Sequence, residues 1–198
     1  MKLLLHICCA PCSVACIEQL RAEGIEPTGF WYNPNIHPFT EYRARRNCLR
    51  EYAQSIGLTL VEEDEYGLRD FVRAVAGDID ARCGYCYAVR LAKTAQYAAE
   101  HGFDAFCTTL TVSPYQNTPL IFETGEKLAQ VFGVKFAPYD FSPHYREGQE
   151  EARALGLYMQ KYCGCVFSEE DRYLGWKKRR KAKQAQRAME EQQNGGAK

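Results

Sequence analysis

The stretch Leu3-Leu4-Leu5-His6-Ile7-Cys8-Cys9-Ala10-Pro11-Cys12 is a short apolar run that ends in a cysteine-rich turn. After it, apolar side chains from Val14 to Leu20 recur at helical spacing, up to Gly24. Pro11 suits the first turn of such a helix, where its missing N–H would have had no partner. The stretch therefore predicts a strand over residues 3–8, followed by a loop that opens onto a helix N-terminus. Such a terminus favours anions, thiolates included.

The alternation of strand and helix continues along the chain. Apolar and β-branched runs predict further strands over residues 27–32, 58–62, 104–111 and 135–139, and helical spacing predicts helices over residues 41–56, 68–75, 83–100 and 119–132. This order predicts an α/β fold, a Rossmann-like, mostly parallel sheet with helices on both faces. Ligands of such sheets bind at the carboxyl ends of the strands, where Cys8 and Cys9 fall.

Length and composition indicate one globular domain with a tail. The 198 residues are 46% hydrophobic, enough for one sizeable core, and we expect a single domain over residues 1–175. The formal net charge is zero, yet seven cationic side chains lie between Lys177 and Arg187, directly after Trp176. Charge runs are usually solvated faces. Here the tail over residues 176–198, helical or disordered, would also suit the phosphate backbone of a nucleic acid.

The number of cysteines points to metal or redox chemistry. No apolar run reaches the roughly 20 residues that cross a bilayer, and the first residues break off short of a signal-peptide core, so we expect a cytoplasmic protein. Ten cysteines in a small secreted chain would indicate a disulfide scaffold. In a reducing cytosol the same number favours metal binding or redox catalysis.

Seven of the ten cysteines form three groups: Cys8, Cys9 and Cys12; Cys83 and Cys86; Cys163 and Cys165. Cysteines three apart at a helix start share one face of the helix, so one metal centre can hold both members of the second group. Adjacent cysteines on a regular strand point to opposite faces, so the first two serve one centre only if the chain turns between them.

Cys8 and Cys9 together with Cys83 and Cys86 supply four thiolates. Such a set suits structural zinc or an iron–sulfur cluster. The adjacent pair lies at a strand end, where open sheets place their active sites, and this favours the iron–sulfur cluster. Cys12 makes a second Cys-x-x-Cys with Cys9, so it either replaces Cys8 as a ligand or binds a separate metal. Free cysteine is also common in cores, which is the simpler interpretation for Cys8 or Cys9.

The unit Cys163-Gly164-Cys165 favours a different role. A disulfide across one intervening residue closes a small, strained ring that is easily reduced, and such disulfides are typically the catalytic ones. We interpret the pair as a redox-active dithiol, with metal ligation as the alternative. The sequence contains no Gly-x-Gly-x-x-Gly after a strand and no Walker loop, so nothing indicates a flavin, nicotinamide or ATP site.

Five motifs in order resemble one known family: His6-x-Cys8-Cys9-Ala10-Pro11-Cys12, Tyr32-Asn33-Pro34-Asn35-Ile36-His37-Pro38, Arg82-Cys83-x-x-Cys86-Tyr87, Ser113-Pro114-Tyr115-Gln116 and Tyr162-Cys163-Gly164-Cys165. Together they resemble the QueH family of epoxyqueuosine reductases, over nearly the whole chain before the basic tail. Each motif alone would be weak, but their combination and order are specific.

The resemblance implies a cobalamin-independent oxidoreductase that acts on tRNA. It implies a 4Fe-4S cluster on Cys8, Cys9, Cys83 and Cys86, with room for an additional iron ion, and a redox-active pair at Cys163 and Cys165. The implied reaction removes the epoxide oxygen of epoxyqueuosine at the wobble position, leaving queuosine and water. It consumes two electrons and two protons, which an electron donor protein or another reductant must supply.

Two other interpretations are weaker. The order of strands and helices also resembles the HUP or PP-loop architecture of ATP-dependent tRNA-thiolating enzymes, but the chain lacks the Ser-Gly-Gly-x-Asp-Ser loop that cradles pyrophosphate. That likeness therefore concerns the fold only. The second is a zinc-stabilised RNA-binding module without redox activity, in which every cysteine is structural.

Overall fold

The structure is a computed structural model that describes residues 1–175. The predicted basic tail, residues 176–198, lies outside the described residues. The strands are β1 Leu3–His6, β2 Thr28–Trp31, β3 Leu60–Glu62, β4 Ala105–Thr108 and β5 Lys135–Phe136. The helices are α1 Ala10–Ala22, α2 Phe39–Ser55, α3 Leu68–Val75, α4 Arg82–Glu100, α5 Thr118–Phe132, α6 Tyr145–Ala154 and α7 Val166–Leu174, with 3-10 turns at Thr109–Val112 and Ser142–His144.

The five strands form one parallel sheet in the order β3-β2-β1-β4-β5. This confirms the predicted α/β fold. β1 lies in the middle of the sheet, where the chain first builds outward to one side through β2 and then to the other through β4. Such a reversal leaves a crevice beside the carboxyl end of the central strand, and that is where ligands bind in open parallel sheets. The cysteines that follow β1 occupy this position.

The core has two layers, one on each face of the sheet. Leu3 and Leu5 of β1 pack with α1 and α2 on one face, whereas Leu4 packs with α4 and α5 on the other. All four residues of β1 are buried, as expected for a central parallel strand that is covered on both faces. Cys8, just beyond the strand, packs against both layers. The first cysteine group is therefore anchored by the whole core.

The N-terminus of α1 forms as its sequence predicts. Cys9 is the extended residue before the helix, and Pro11 lies in the first turn. The helix ends at Ala22, after which Gly24 takes a φ of 76°, a conformation that costs glycine little. The start of α1 thus follows β1 after only three residues, which leaves the intervening cysteines little freedom to move apart.

Some predicted boundaries are wrong, and the strand expected over residues 104–111 is the clearest case. β4 ends at Thr108, and Thr109–Val112 forms a 3-10 turn. The Thr108 hydroxyl accepts a hydrogen bond from the Leu110 N–H, and the Thr111 hydroxyl donates to the Tyr139 carbonyl at 2.8 Å. These side chain–backbone hydrogen bonds compete with the sheet ladder and end the strand early. The helices α6 and α7 were not predicted.

The described chain divides into two compact units, residues 1–159 and the residues from 160 onward. The first unit contains the whole sheet and α1 to α6, and the described part of the second contains α7. The predicted single domain over residues 1–175 stays a prediction. Within residues 1–175, none of the helices has the length and apolar character that crossing a bilayer requires.

The contact between α1 and α6 gives a test of the packing. A methyl group added to Gly148 of α6 would lie 2.8 Å from the Cβ of Ala15 on α1, closer than two carbon atoms can approach. We therefore expect Gly148→Ala to lower the free energy of unfolding by about 1–3 kcal/mol through overpacking. The midpoint of urea unfolding measures this change.

Gly77→Ala is the matched control for this substitution, because nothing lies within 4 Å of the added methyl group. Its effect on stability should stay within about 0.5 kcal/mol, as for most exposed positions. Equal midpoints for the Gly148 and Gly77 variants would contradict the close packing of α6 on α1.

Candidate metal centre and the adjoining pocket

The structure brings three cysteines of the first group together at the end of β1. The Sγ atoms of Cys8 and Cys9 are 3.8 Å apart, and the sulfurs of Cys8, Cys9 and Cys12 all lie within 4.8 Å of one another. The chain turns between Cys8 and Cys9, as a shared centre requires, because β1 ends at His6 and α1 begins at Ala10. We call these three residues the thiol triad.

The thiols of the triad differ in acidity. Hydrogen bonds from the Cys12 and Cys9 thiols, in that order of effect, hold the pKa of Cys8 well below its usual range. Burial raises the pKa of Cys9 well above its usual range. The pKa of Cys12 is raised chiefly because its S–H donates to Cys8. Cys8 is thus the first of the three to ionise, and its two neighbours keep their protons while no cation is bound.

The 3-10 turn after β4 also holds Cys8. The Thr109 hydroxyl donates to the Cys8 sulfur at 3.5 Å and accepts the Cys8 N–H at 3.3 Å. This pair of hydrogen bonds joins the ends of the neighbouring strands β1 and β4. It exists only because the chain leaves the sheet at Thr108 and turns the next residue toward the sulfur.

Two buried arginines place positive charge near the triad. Arg45 of α2 is 2% exposed, and its guanidinium contacts the Glu41 carboxylate at 2.7 Å. Arg90 of α4 is likewise 2% exposed. The charge of Arg45 acts on Cys9 and that of Arg90 acts on Cys8. A buried arginine is costly unless it is paired, so both are held by partners that the fold provides.

The second cysteine group lies in the first turn of α4. Cys86 is buried, whereas Cys83 is exposed. Arg90, one helical turn beyond Cys86, donates to the Cys86 sulfur and to its carbonyl oxygen, both at 3.0 Å. Within residues 1–175, the triad is the only group of three ligand atoms this close together, so Cys83 and Cys86 do not join it at 4.8 Å.

The triad has the chemistry and the spacing of a metal site. Thiolates that share one ion at bond lengths of about 2.3 Å, as zinc has, lie roughly 3.8 Å apart in a tetrahedral shell, the distance between the sulfurs of Cys8 and Cys9. Soft thiolate ligands select zinc or iron–sulfur centres. A bound cation would also remove the mutual repulsion that keeps three adjacent thiols from ionising together.

His6 supports the site without offering a nitrogen to it. Its Nδ1 lies 2.9 Å from the Thr108 hydroxyl and its Nε2 lies 3.3 Å from the Tyr32 carbonyl. Complete burial, and next the charge of Arg90, lower the pKa of His6 to about 4. The ring is therefore neutral at pH 7. Its hydrogen bonds join β1 to the strand ends on either side, as expected for a residue beside the ligands.

A pocket adjoins Cys86 and Arg90. Its volume is about 340 Å³, including space open to solvent. The pocket is lined by Tyr32, Pro34, Asn35, Glu65, Gly67, Asp70, Phe71, Tyr85, Cys86, Val89 and Arg90. The loops after β2 and β3, the first turn of α3 and the first turns of α4 supply these residues. Three of the lining residues, Tyr32, Pro34 and Asn35, belong to the second motif of the family resemblance.

The loop after β4 is anchored to α4, since the Tyr87 hydroxyl donates to Gln116 at 2.7 Å. Asp140 accepts the Ser142 N–H at 2.9 Å, at the start of the second 3-10 turn. Thr109 and both buried arginines were not predicted from the sequence. For Arg90 a signal existed, because it follows Cys86 at helical spacing i, i+4.

The third cysteine group lies in the second unit. Cys163 is exposed, and Cys165 is buried directly before α7. The Ser168 hydroxyl donates to the Cys165 carbonyl at 2.6 Å and accepts the Gly164 N–H at 3.1 Å. The turn that carries both cysteines is therefore fastened to the first turn of α7. None of the ten cysteines is joined to another by a disulfide in this structure.

Comparison with known proteins gives consistent matches. The family model described as epoxyqueuosine reductase QueH matches residues 3–171. An epoxyqueuosine reductase QueH from Dehalococcoides mccartyi is 38% identical over 172 residues, covering 87% of this chain and 94% of that protein. Another from Thermotoga maritima is 38% identical over 175 residues, covering 83% and 88%. The matched residues include all three cysteine groups.

A similar fold occurs in a crystal structure. The predicted subunit of a tRNA methyltransferase from Methanocaldococcus jannaschii superposes with a TM-score of 0.51, covering 77% of this chain and 76% of the other at 12% sequence identity. At this identity the likeness concerns the fold alone. It agrees with the α/β, Rossmann-like architecture expected from the order of strands and helices.

The acidity of Cys8 can be tested in the metal-free, reduced protein. Because only the thiolate reacts, we expect iodoacetamide to modify Cys8 at a lower pH than Cys9 or Cys12. Thr109→Val keeps the side-chain shape but removes a donor to the sulfur, so the pH profile of Cys8 should move upward. Peptide mass analysis after short labelling at pH 5 to 10 gives the profile of each cysteine.

Cys107, buried in β4, serves as the internal control for this labelling, since burial raises its pKa and it should stay unmodified throughout. Faster labelling of Cys9 than of Cys8 would contradict the order of acidity. An unchanged profile in the Thr109 variant would show that the hydroxyl does not stabilise the thiolate.

The buried pair of Glu41 and Arg45 gives a second test. Glu41→Gln leaves the Arg45 guanidinium buried without its carboxylate, and we expect a loss of roughly 3–5 kcal/mol in the free energy of unfolding. Glu51→Gln, an exposed change on the same helix, is the control and should have little effect. Urea unfolding of both variants measures the difference, and equal stability would show that Arg45 is solvated rather than buried.

Proposed function

The chain belongs to the epoxyqueuosine reductase QueH family of oxidoreductases, and on this premise we propose that it reduces epoxyqueuosine in tRNA to queuosine. The observation that carries the proposal is the thiol triad at the end of the central strand, within a chain that matches the family over residues 3–171. A cluster of soft ligands at this position supports redox chemistry at the ligand-binding edge of the sheet.

The proposed reaction is a two-electron deoxygenation. Both carbon–oxygen bonds of the epoxide break, a carbon–carbon double bond forms in the five-membered ring, and the oxygen leaves as water. Two electrons and two protons are consumed. Oxidation of two thiols to one disulfide releases the same number of each, so the pair Cys163 and Cys165 supplies a balanced source of reducing equivalents. An external reductant must then restore the thiols.

We propose that a 4Fe-4S cluster is held by Cys8, Cys9, Cys83 and Cys86. The position of Cys8 and Cys9 at the end of β1 and that of Cys83 and Cys86 in one turn of α4 support this set. The proximity of Cys12 supports its participation in the same centre or in the binding of an additional iron ion. When bound, such a centre supplies one-electron transfer and Lewis acidity toward the epoxide oxygen.

The residues around the centre have supporting tasks in this proposal. Arg90 donates to the Cys86 sulfur and so stabilises negative charge on it. Thr109 does the same for Cys8. The neutral His6 keeps the ends of β1 and β4 joined and adds no charge of its own. These contacts hold the thiolates in place.

The partners follow from the substrate. We propose tRNA carrying epoxyqueuosine at the wobble position, together with a cellular electron donor, in the cytoplasm. The cationic residues beyond Trp176, which lie outside the described residues, would add affinity for the phosphate backbone. Binding that rests on such contacts should weaken as the salt concentration rises.

The deciding experiment combines metal analysis with turnover on one sample. Anaerobically purified protein is analysed for iron, sulfide and zinc, and visible and EPR spectra are recorded. It is then incubated with epoxyqueuosine tRNA and a chemical reductant, and the nucleosides are analysed by mass. About four irons per chain and loss of one oxygen from the nucleoside are the expected results. A colourless zinc protein that leaves the tRNA unchanged would favour the RNA-binding module instead.

Three cysteine variants separate the proposed roles. Cys163→Ala should abolish turnover while the iron content and visible spectrum stay as in the unchanged protein, because this residue donates electrons without binding the cluster. Cys86→Ala should lose iron and turnover together. Cys48→Ala is the control: Cys48 is half-buried, accepts the Tyr158 N–H, and lies outside the three groups. Loss of iron in the Cys163 variant would instead make that residue a ligand.

A further inference from the structure

The pocket beside Cys86 has a chemical character of its own. Its walls include three aromatic side chains, Tyr32, Phe71 and Tyr85, and two carboxylates, Glu65 and Asp70. The rings of Phe71 and Tyr85 are 6.0 Å apart and inclined at 57°. Aromatic faces and carboxylates both attract cations, and the faces also stack on flat rings. This combination favours a ligand that carries a positive charge next to a flat ring.

An unsatisfied amide lies in the same pocket. The Asn35 side chain lines it and is only 4% exposed, yet its Oδ1 has no hydrogen-bond partner within the described residues. A buried acceptor without a partner is destabilising, because it has lost its hydrogen bonds to water. A ligand that offers an N–H would remove that cost. The pocket thus contains an acceptor suited to a donor from outside the protein.

The charges around the pocket leave its carboxylates available. Arg90, the buried cation at the pocket, is engaged with the sulfur and carbonyl oxygen of Cys86. Glu65 has a weak contact of 3.5 Å from the Tyr32 hydroxyl, and Asp70 has an exposed contact of 3.3 Å with Arg73. Exposed contacts of this kind contribute little, so a cationic ligand displaces them at low cost.

The shape of the pocket is fixed before a ligand arrives. The Gly67 N–H donates to the Pro34 carbonyl at 3.2 Å, which fastens the loop after β3 to the loop after β2. A side chain on Gly67 would lie 2.6 Å from the Pro34 Cβ, so glycine is required for this approach. A preformed pocket loses less entropy on binding than one that must be ordered.

We propose that this pocket binds a protonated amine that is joined to a flat ring, with Glu65 and Asp70 as counter-charges and Asn35 as acceptor. The inference rests on the proposed function and deepens it. In epoxyqueuosine an aminomethyl arm joins the purine-like base to the epoxide ring, and its secondary amine is protonated at neutral pH. An amine held by these carboxylates leaves the attached epoxide ring within reach of Cys86, which lines the same pocket.

The test compares variants of the cluster-loaded, full-length protein on two RNAs. Both are tRNA anticodon stem-loops, one with epoxyqueuosine and the other with unmodified guanosine at the wobble position. Glu65→Gln and Asp70→Asn should each raise KM for the modified RNA about tenfold, which corresponds to about 1.4 kcal/mol, while kcat changes little. Affinity for the unmodified RNA should stay the same, because that RNA lacks the amine.

Glu63→Gln is the matched control. Glu63 lies two residues before Glu65 but pairs with Lys93 at 3.6 Å and does not line the pocket. It should leave the KM values for both RNAs unchanged. An equal effect of Glu63→Gln and Glu65→Gln would show a general electrostatic influence on RNA binding, and this outcome would overturn the proposed subsite.

Binding measurements distinguish failure of the subsite from failure of the proposed function. If the unchanged protein leaves the epoxide intact, the dissociation constants of the two RNAs still report on the pocket. A preference for the modified RNA that falls about tenfold in the Glu65 and Asp70 variants would support the subsite and reject the reductase. Turnover with unchanged KM in both variants, or no preference for the modified RNA, would overturn the subsite.

Discussion

The packing of three thiols at the end of one buried strand is the constraint on which the rest of the site depends. Cys8, Cys9 and Cys12 cannot all ionise at such short distances. Burial raises the pKa of Cys9, hydrogen bonding to Cys8 raises the pKa of Cys12, and a negative charge on Cys8 raises both further. A bound cation removes this conflict. The triad is therefore unfavourable as three free thiolates and chemically suited to a metal, and binding of a metal there would couple to stability.

The surrounding fold places two buried positive charges near the thiols of the triad. Arg45 and Arg90 approach the triad from α2 and α4, on opposite faces of the sheet, and each is buried with a defined partner. Their charges favour ionised sulfur on Cys8 and Cys9. Four thiolates around an iron–sulfur cluster would carry a net negative charge. The two buried guanidinium groups would stabilise that charge.

Cys86 connects the proposed metal centre with the pocket. It offers its sulfur to Arg90 in the core and also lines the cavity that Glu65 and Asp70 border. One helical turn of α4 thus serves two purposes, because side chains three or four residues apart share a face. A substrate in the pocket would lie directly against a proposed ligand, and this short path suits electron transfer to an epoxide.

The sequence alone determined the fold class, the family and the three cysteine groups, because these depend on local patterns: apolar periodicity, the position of Pro11, and motifs in order. It also left Cys12 open as a ligand, and the structure brings that sulfur beside Cys8 and Cys9. Only the tertiary structure decided that Thr109 reaches Cys8, since the two residues are far apart in sequence and meet through the pairing of β1 with β4. The pocket likewise depends on loops from separate strands, whose approach no local pattern encodes.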